Sequence, residues 1–354
     1  MGETSHALPC TDGSLTCSPP PIRFFALDPW LSRCCPYALE AVERCRFHHR
    51  GLNDTYKVEC SQGDTYFLRI YRAGWRSRDA IETELAILLH LTQRKTSVSA
   101  PVRRRDGQLL TPLDCAEGSR CAVLFTGAPG NEVARDGYTD ELARLYGAAV
   151  AAVHSAADGF EGPRLRAALD LGELLERPLR ALTSTIAHRP EDVAYVNGLG
   201  DRLRKRVRGM TDLEFGFCHG DFHGANACEK NGIFTVYDFD CCGWGYRAYD
   251  LAVFPWSFAV RQSPPERIEA MGRAFLTGYR QRRTLGRTDV DALIAFVAIR
   301  QIWLMGVHIS IGDTFGWGWI NDSYFDSQLK ILREWEHNWL SPTAPLGNSE
   351  CRLL

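Results

Sequence analysis

The stretch His219-Gly220-Asp221-Phe222-His223-Gly224-Ala225-Asn226 decides the reading of this chain, together with the residues that lead from it to Asp240. These are a turn at Asn231-Gly232, an apolar run Ile233-Phe234-Thr235-Val236-Tyr237, and then Asp238-Phe239-Asp240. Asn-Gly favours a two-residue hairpin. Such a hairpin brings Asp238 back beside the loop that holds Asp221 and Asn226. Three hard oxygen donors then converge, which suits Mg2+ bound to nucleotide phosphates. A carboxylate that accepts a hydroxyl proton, with an amide oxygen and a second carboxylate holding metal, is the equipment of phosphoryl transfer. On this reading Asp221 is the catalytic base, and Asn226 and Asp238 are the metal ligands. His219 braces the loop through its two ring nitrogens.

Working outward, the chain has 354 residues, a formal charge of −2, 45% apolar and 24% charged residues. These values fit a globular protein and exclude a disordered chain. At about 150 residues per domain, the length implies about two domains or lobes. The near-neutral charge gives no global pull toward nucleic acid or a membrane surface, so neither is an expected partner. The N-terminus has no basic stretch followed by an apolar run. No uninterrupted apolar run approaches the ~18 residues of a membrane span, the longest being broken by Asp250, Pro255 and Arg300. A cytoplasmic location is expected, with most of the 13 cysteines reduced.

Residues 1–23, with Pro9, Pro19, Pro20 and Pro21, read as a Pro-rich leader. A short helix is expected over Pro36–Cys45, with Leu39 and Val42 on one face. Thr55–Cys60 and Thr65–Tyr71 are strand-like and joined by a hairpin signal at Gln62-Gly63-Asp64. Asp79–Leu91 carries Ile81, Leu85, Leu88 and Leu89 at helical spacing. Gln108–Thr111 and Arg120–Phe125 read as further strand, and Thr126-Gly127-Ala128-Pro129-Gly130 as a linker. Beyond it Asp140–Ser155 is helical, helices dominate to about Met210 and again from Pro264, and 217–240 forms a loop and strand. The expected class is α+β. A β-rich N-terminal lobe with its hinge spans 24–127, and a mainly helical catalytic and acceptor-binding lobe spans 128–354.

Taken in order, H-G-D-x-x-x-x-N, the hairpin and D-x-D resemble the catalytic loop and metal-binding aspartate of the aminoglycoside phosphotransferase / choline kinase-like superfamily. These are small-molecule relatives of the protein kinases. Tyr249-Asp250-Leu251-Ala252 is similar to the family's Asp-Leu/Ile-Ala motif, which implies that Asp250 supports the catalytic loop. Arg50 to Val58 resembles the nucleotide loop, implying phosphate contacts near Gly51, Asn53 and Thr55, where backbone N–H groups can approach closely. Tyr66-Phe67-Leu68-Arg69-Ile70 resembles the strand bearing the phosphate-contacting cation, with Glu84 as its acidic partner. Position 69 is Arg where the usual residue is Lys, and Lys57 is a second candidate cation beside its plainer reading as a solvated lysine. Leu124-Phe125-Thr126-Gly127 falls at the adenine hinge, which adds Phe125 and Gly127 to the nucleotide set.

The resemblance covers about residues 45–340. Ile70-Tyr71-Arg72 through Leu91, and the aromatic C-terminal region, look most like bacterial stress-response kinases and homoserine-kinase-like members. It implies a bilobal protein-kinase-like fold and the cofactors ATP and Mg2+. It also implies transfer of the γ-phosphoryl group to a hydroxyl of a small molecule: an antibiotic, amino acid, amine or sugar. A protein Ser/Thr kinase of the same fold is one alternative. A nucleotide-binding pseudokinase scaffold, resting on Arg69, is another. An aspartate-nucleophile phosphatase built on Asp238 would leave His219, Asp221 and Asn226 unexplained.

His223, Asp240, Asp313, Trp317, Trp319 and Asp322 are candidate acceptor contacts, since aromatic and acidic groups suit a cationic or polyhydroxylated ligand. Packing of helices together accounts for the aromatics Trp317 and Trp319 equally well. Cys218, His219, His223 and Cys228 are zinc-ligand types without zinc-site spacing. With Cys241 and Cys242, the two cysteines are expected as thiols around the loop, open to oxidation. Arg72, Arg76 and Arg78, near Trp75, read as the solvated start of a helix.

Overall fold

The computed structural model describes residues 36–115, 118–134 and 137–340. The Pro-rich leader lies outside them. Within residues 42–126, β1 (Val42–Arg50), β2 (Asp54–Cys60), β3 (Thr65–Ile70), β4 (Thr111–Cys115) and β5 (Gly118–Thr126) form one antiparallel sheet. Its order is β1-β2-β3-β5-β4. Alternation along the strands splits their side chains between two faces. Tyr56, Val58, Leu68, Ile70, Ala122 and Leu124 form a small core with Tyr37 on one face. On the other, Val123 and Phe125 join the main core with Ile81, Leu85 and Leu88 of α1 (Arg78–Gln93). Ser77 caps α1 by accepting from the Ala80 amide at 3.2 Å.

The helix expected over Pro36–Cys45 does not form. Tyr37 bridges to Arg104, and the chain enters β1 at Val42. Leu39 and Val42 do share a core, with Cys45 and Phe47, but they reach it from extended chain. Pairing with β2 satisfies the backbone, so tertiary context overrides the helical spacing. The strand expected at Gln108–Thr111 also shifts, beginning only at Thr111.

The remainder is mainly helical. It contains β6 (Asn131–Glu132), α2 (Asp140–Ala157), a π-helical turn Gly172–Glu176, α3 (Arg177–Thr185) and α4 (Pro190–Arg208). Then come β7 (Phe215–Cys218), β8 (Ala227–Lys230), β9 (Ile233–Val236) and β10 (Gly243–Tyr246). They are followed by α5 (Arg247–Ala259), α6 (Pro265–Arg280), α7 (Arg287–Ser310), α8 (Gly312–Phe315) and α9 (Asp322–Trp335). α2 and α6 touch backbone to backbone: a Cβ on Gly278 would lie 1.8 Å from the Arg144 carbonyl oxygen. Every residue of α5 is buried. α7 is long and apolar enough by length and composition to cross a membrane, contrary to the expectation from Arg300. Here 83% of that apolar window is buried inside the protein.

The sheet lobe and helical lobe are joined behind the site. Val98 bridges to Val236 in parallel, Ser99 N donates to Val236 O at 2.9 Å, and Val236 N donates to Ser97 O at 3.0 Å. The hydroxyls of Ser97 and Thr235 meet at 2.8 Å. The strand that ends at Asp238 is thereby fixed to the segment following α1.

Candidate active site

β7, paired with β10, delivers His219 to a loop whose path is set from beneath by Asp250 in the first turn of α5. Asp250 Oδ1 accepts from the Gly220 amide at 2.7 Å. Its Oδ2 accepts from the His219 amide at 2.7 Å and faces His154 Nε2 at 3.0 Å. His154, His219 and Asp250 are fully buried, where charge-assisted bonds are strong and missing ones costly. Gly220 has φ +80°, and a Cβ there would lie 2.2 Å from the Cys241 carbonyl oxygen. Only glycine fits. His219 Nδ1 accepts from the Asp221 amide at 3.2 Å, so Nε2–H donates to Tyr237 O at 2.9 Å. Burial holds this imidazole below its ordinary pKa, in the neutral form that the pattern requires.

Asp221 is gripped from α7. Arg300 Nη2 donates to Asp221 Oδ1, and Nη1 donates to Gly220 O at 3.0 Å and the Tyr249 hydroxyl at 3.1 Å. The guanidinium lies against the rings of Trp256 and Trp303, 4.7 and 4.4 Å from their centroids. Burial pushes the Asp221 carboxyl up, but Arg300 and His223 outweigh it and hold it well below the usual carboxylate range. Asp221 Oδ2 accepts from Asn226 Nδ2 at 3.2 Å and lies 3.4 Å from His223 Nε2.

Asn226 Nδ2 also donates to the Asp221 carbonyl at 3.0 Å. Its amide hydrogens are thus committed to Asp221, and Oδ1 is the polar atom left for a ligand. The hairpin forms where Asn-Gly places it, with φ 52° at Asn231 and 81° at Gly232. Its register pairs Ala227 with Val236, and the Tyr237 amide donates to Asn226 O at 3.0 Å. Asp238 therefore stands beside Asn226. Its own backbone is left-handed, φ 63° and ψ 59°, a conformation that Asp tolerates better than most residues. Among the described residues no three His, Cys, Asp or Glu side chains gather around one point. Two protein oxygens, from Asn226 and Asp238, could hold Mg2+, which keeps water and phosphate as its other ligands. The same set does not suit a structural zinc, which takes four protein ligands.

Across the cleft, Arg69 forks between two acids. Nη1 donates to Glu84 Oε1 and Nη2 to Asp238 Oδ1, both at 2.8 Å. Burial raises the Glu84 carboxyl against the pull of Arg69 and Arg166. Phe125 lies beneath the Arg69 guanidinium, at 4.9 Å, so its ring supports the cation. The Gly127 amide donates to Thr65 O at 2.8 Å, and a Cβ there would meet that oxygen at 2.7 Å. In the β1–β2 loop the Gly51 amide donates to Asn53 O at 3.1 Å, and Asn53 Oδ1 accepts from the Arg72 amide at 3.1 Å. Thr55 sits opposite Arg69 in the ladder, on the same face. Lys57 pairs with Glu59 at 2.7 Å, which agrees with the plainer reading of that lysine.

The acceptor candidates scatter. His223 adjoins Asp221. Asp240 does not face an acceptor: it is buried, accepting from Trp75 Nε1 at 2.8 Å and pairing with Arg76 at 3.4 Å. Arg76 and Trp75 are thus part of a contact between lobes, with the guanidiniums of Arg72 and Arg76 5.0 and 4.5 Å from the Trp75 ring centroid, while Arg78 does stand exposed at the start of α1, paired with Glu82. Asp313 accepts from Trp317 Nε1 at 2.8 Å. Trp319 packs edge-on against His308 and Tyr324. Asp322 points away to the surface, 65% exposed, and is held by His188 and Arg189. The thiols are also corrected. Burial pushes Cys242 up to about 12 and Cys228 up to about 11, and raises Cys218 and Cys241 well above the ordinary value. Cys218, Cys241 and Cys242 are also buried, and raised, inaccessible thiols are poor nucleophiles, which weighs against the expected sensitivity to oxidation.

Two residues at this site escape the sequence reading. Arg166 donates to the carbonyls of Ala80, Asp240 and Cys242 and lies 3.5 Å from Glu84 Oε2, tying α1 to the turn after Asp238. Nothing in its surrounding sequence signals this. Arg300 does carry a signal: one cation within a long apolar helix has to find a partner.

The phosphotransferase enzyme family model matches residues 44–285. An uncharacterized protein of Deinococcus radiodurans is 40% identical over 290 residues, covering 81% of this chain and 83% of that one. The homoserine kinase of Phenylobacterium zucineum is 27% identical over 264 residues, covering 72% of this chain and 76% of that one. Among solved structures, the amicoumacin kinase hAmiN in complex with AMP-PNP, Ca2+ and Ami superposes with a TM-score of 0.73 at 22% identity. That match covers 90% of this chain and 95% of that one and shows a shared kinase-like fold.

Proposed function

The chain belongs to the phosphotransferase enzyme family, and on that premise we propose that it moves the γ-phosphoryl group of ATP to a hydroxyl of a small molecule. The observation that carries this reading is the linked set in which Asn226 Nδ2 donates to Asp221 Oδ2 at 3.2 Å, the Tyr237 amide that precedes Asp238 donates to Asn226 O at 3.0 Å, and Arg69 donates to Asp238 at 2.8 Å. In this proposal Asp221 Oδ2 receives the acceptor hydroxyl and takes its proton as the phosphoryl group transfers in line. Asn226 and Asp238 would hold Mg2+, whose charge neutralises the phosphates when it is bound. Arg69, positioned by Glu84 and backed by Phe125, supplies a planar cation to the same phosphates. Gly51 and Asn53 shape the loop beneath which they would lie, Thr55 stands at the start of β2 beside Arg69, and the adenine would sit near residues 124–127, with the lobe boundary at 127–128. His219 and Asp250 hold the catalytic loop still, so positioning and charge neutralisation do most of the work.

The Asp221–Asn226–Asp238 set argues against a scaffold without activity, and the Arg69–Glu84 pair weighs against the one feature that favoured it. The similarity to a homoserine kinase and an amicoumacin kinase supports a hydroxylated metabolite or antibiotic as acceptor. ADP release should be measured with Mg2+-ATP and a panel of L-homoserine, ethanolamine, choline, aminoglycosides and sugars, with casein as the protein arm. Asp221→Asn serves as the blank. Turnover of a small molecule by the wild type but not by Asp221→Asn is expected. Equal rates for the two would remove Asp221 as the base.

A further inference from the structure

Arg300 is the sole charged residue between Asp291 and His308 of α7, in a run otherwise dominated by apolar side chains. An unpaired charge there would be costly, and pairing alone does not explain where this one points. All its bonds converge on the catalytic loop and the helix beneath it: Gly220 O, Asp221 Oδ1 and the Tyr249 hydroxyl. The flat guanidinium is held on Trp256 and Trp303, so its plane is set by packing as well as by hydrogen bonds. The two oxygens of Asp221 are consequently unequal. Oδ1 belongs to Arg300, and Oδ2 is directed toward Asn226 and His223. Exposure separates the two partners: the Arg300 side chain is 2% exposed and that of Asp221 19%. An acceptor can reach the carboxylate but not the cation behind it.

We propose that Arg300 is a positioning residue for phosphoryl transfer, holding one oxygen of Asp221 so that the other alone meets the acceptor hydroxyl. This rests on the role given to Asp221 above. A loose transition state asks the base for direction more than for strength. Misplacing a reacting group by about 1 Å costs on the order of 100-fold in rate. A lysine at position 300 could keep a charge near Asp221 but could not make the planar fork to both Asp221 and the Gly220 carbonyl.

The test compares wild type, Arg300→Met, Arg300→Lys and Arg300→Ala. The acceptor is whichever of L-homoserine, ethanolamine, choline or an aminoglycoside the wild type turns over. Arg300→Met is expected to lower kcat by about 100-fold and to leave KM for ATP within about twofold. Arg300→Lys should fall by at least about tenfold in kcat with the same KM, and methylguanidinium should restore part of the rate to Arg300→Ala. If Arg300→Met fails to fold, Arg300→Lys decides, because it retains the charge. Wild-type kcat in Arg300→Lys, or a rise in KM for ATP matching the loss in kcat, would overturn the proposal. A wild type without turnover on any acceptor would overturn the proposed function and this inference with it. A wild type that is active, an Asp221→Asn that is not, and an Arg300→Met at full rate would overturn the inference alone.

Discussion

Replacing Asp250 by Asn separates bracing from chemistry, because this carboxylate lies under the loop and not in the cleft. Its two oxygens serve three donors: the Gly220 amide on Oδ1, and the His219 amide and His154 Nε2 on Oδ2. An asparagine keeps two of the three by placing its oxygen where Oδ2 stood. Its NH2 then faces the Gly220 N–H, donor against donor. An orphaned buried amide costs about 1–3 kcal/mol, and the two surviving bonds lose their charge assistance. The total comes to about 2–4 kcal/mol. At about 2–4 °C per kcal/mol for a body of roughly 200 residues, the melting temperature should fall by about 4–16 °C. Gly220 precedes Asp221 and cannot relax freely, because its φ of +80° sets its carbonyl toward Arg300. A shift of about 1 Å at Asp221 should lower kcat by about 100-fold. Thermal unfolding of wild type and Asp250→Asn measures the first effect, and amide exchange at Gly220 locates it. A melting temperature within about 1 °C of wild type, with Gly220 equally protected, would refute the account of the loop.

Three further outcomes concern other parts of the molecule. Trp75→Phe removes the donor to Asp240 Oδ2 and should cost about 1–3 kcal/mol in urea unfolding; an unchanged midpoint would show that this contact between lobes carries no stability. Gly278→Ala sets a methyl group 1.8 Å from the Arg144 carbonyl, so α2 and α6 must part, and overpacking of about 1–3 kcal/mol should appear with no change in KM for ATP. Burial and the nearby Arg300 hold His308 down to about 4, against about 6.5 for an unfolded histidine. The unfolded chain therefore binds the proton first, so stability should decline as pH falls from about 6.5 to about 4 and level off below. His308→Gln should flatten the melting temperature across that window, and an unaltered slope would assign the decline to other groups.

Much of this protein was legible without coordinates because its chemistry is local in sequence. The loop from His219 to Asn226, the Asn231-Gly232 turn and Asp238 lie within twenty residues. A two-residue turn fixes the register, so spacing brought the strand end that carries Asp238 back to the loop, with Ala227 paired to Val236. The hairpin signal at Gln62-Gly63-Asp64 and the helical period of residues 79–91 were legible for the same reason, and β2, β3 and α1 form there. What failed depended on distant neighbours. Residues 36–45 had helical spacing, but a strand ten residues further on offered its backbone a ladder. Asp240 read as an acceptor contact until Trp75 and Arg76 paired with it from the other lobe. Arg69 in place of lysine became intelligible only when Glu84 and Asp238 stood 2.8 Å from its two ends. Arg300 and Arg166 are separated from their partners by about eighty residues. Sequence determined which groups could do chemistry, since identity and short-range spacing are written in it. Tertiary structure decided which oxygen faces which cation, because a buried charge takes its partner from whatever the packing brings within reach.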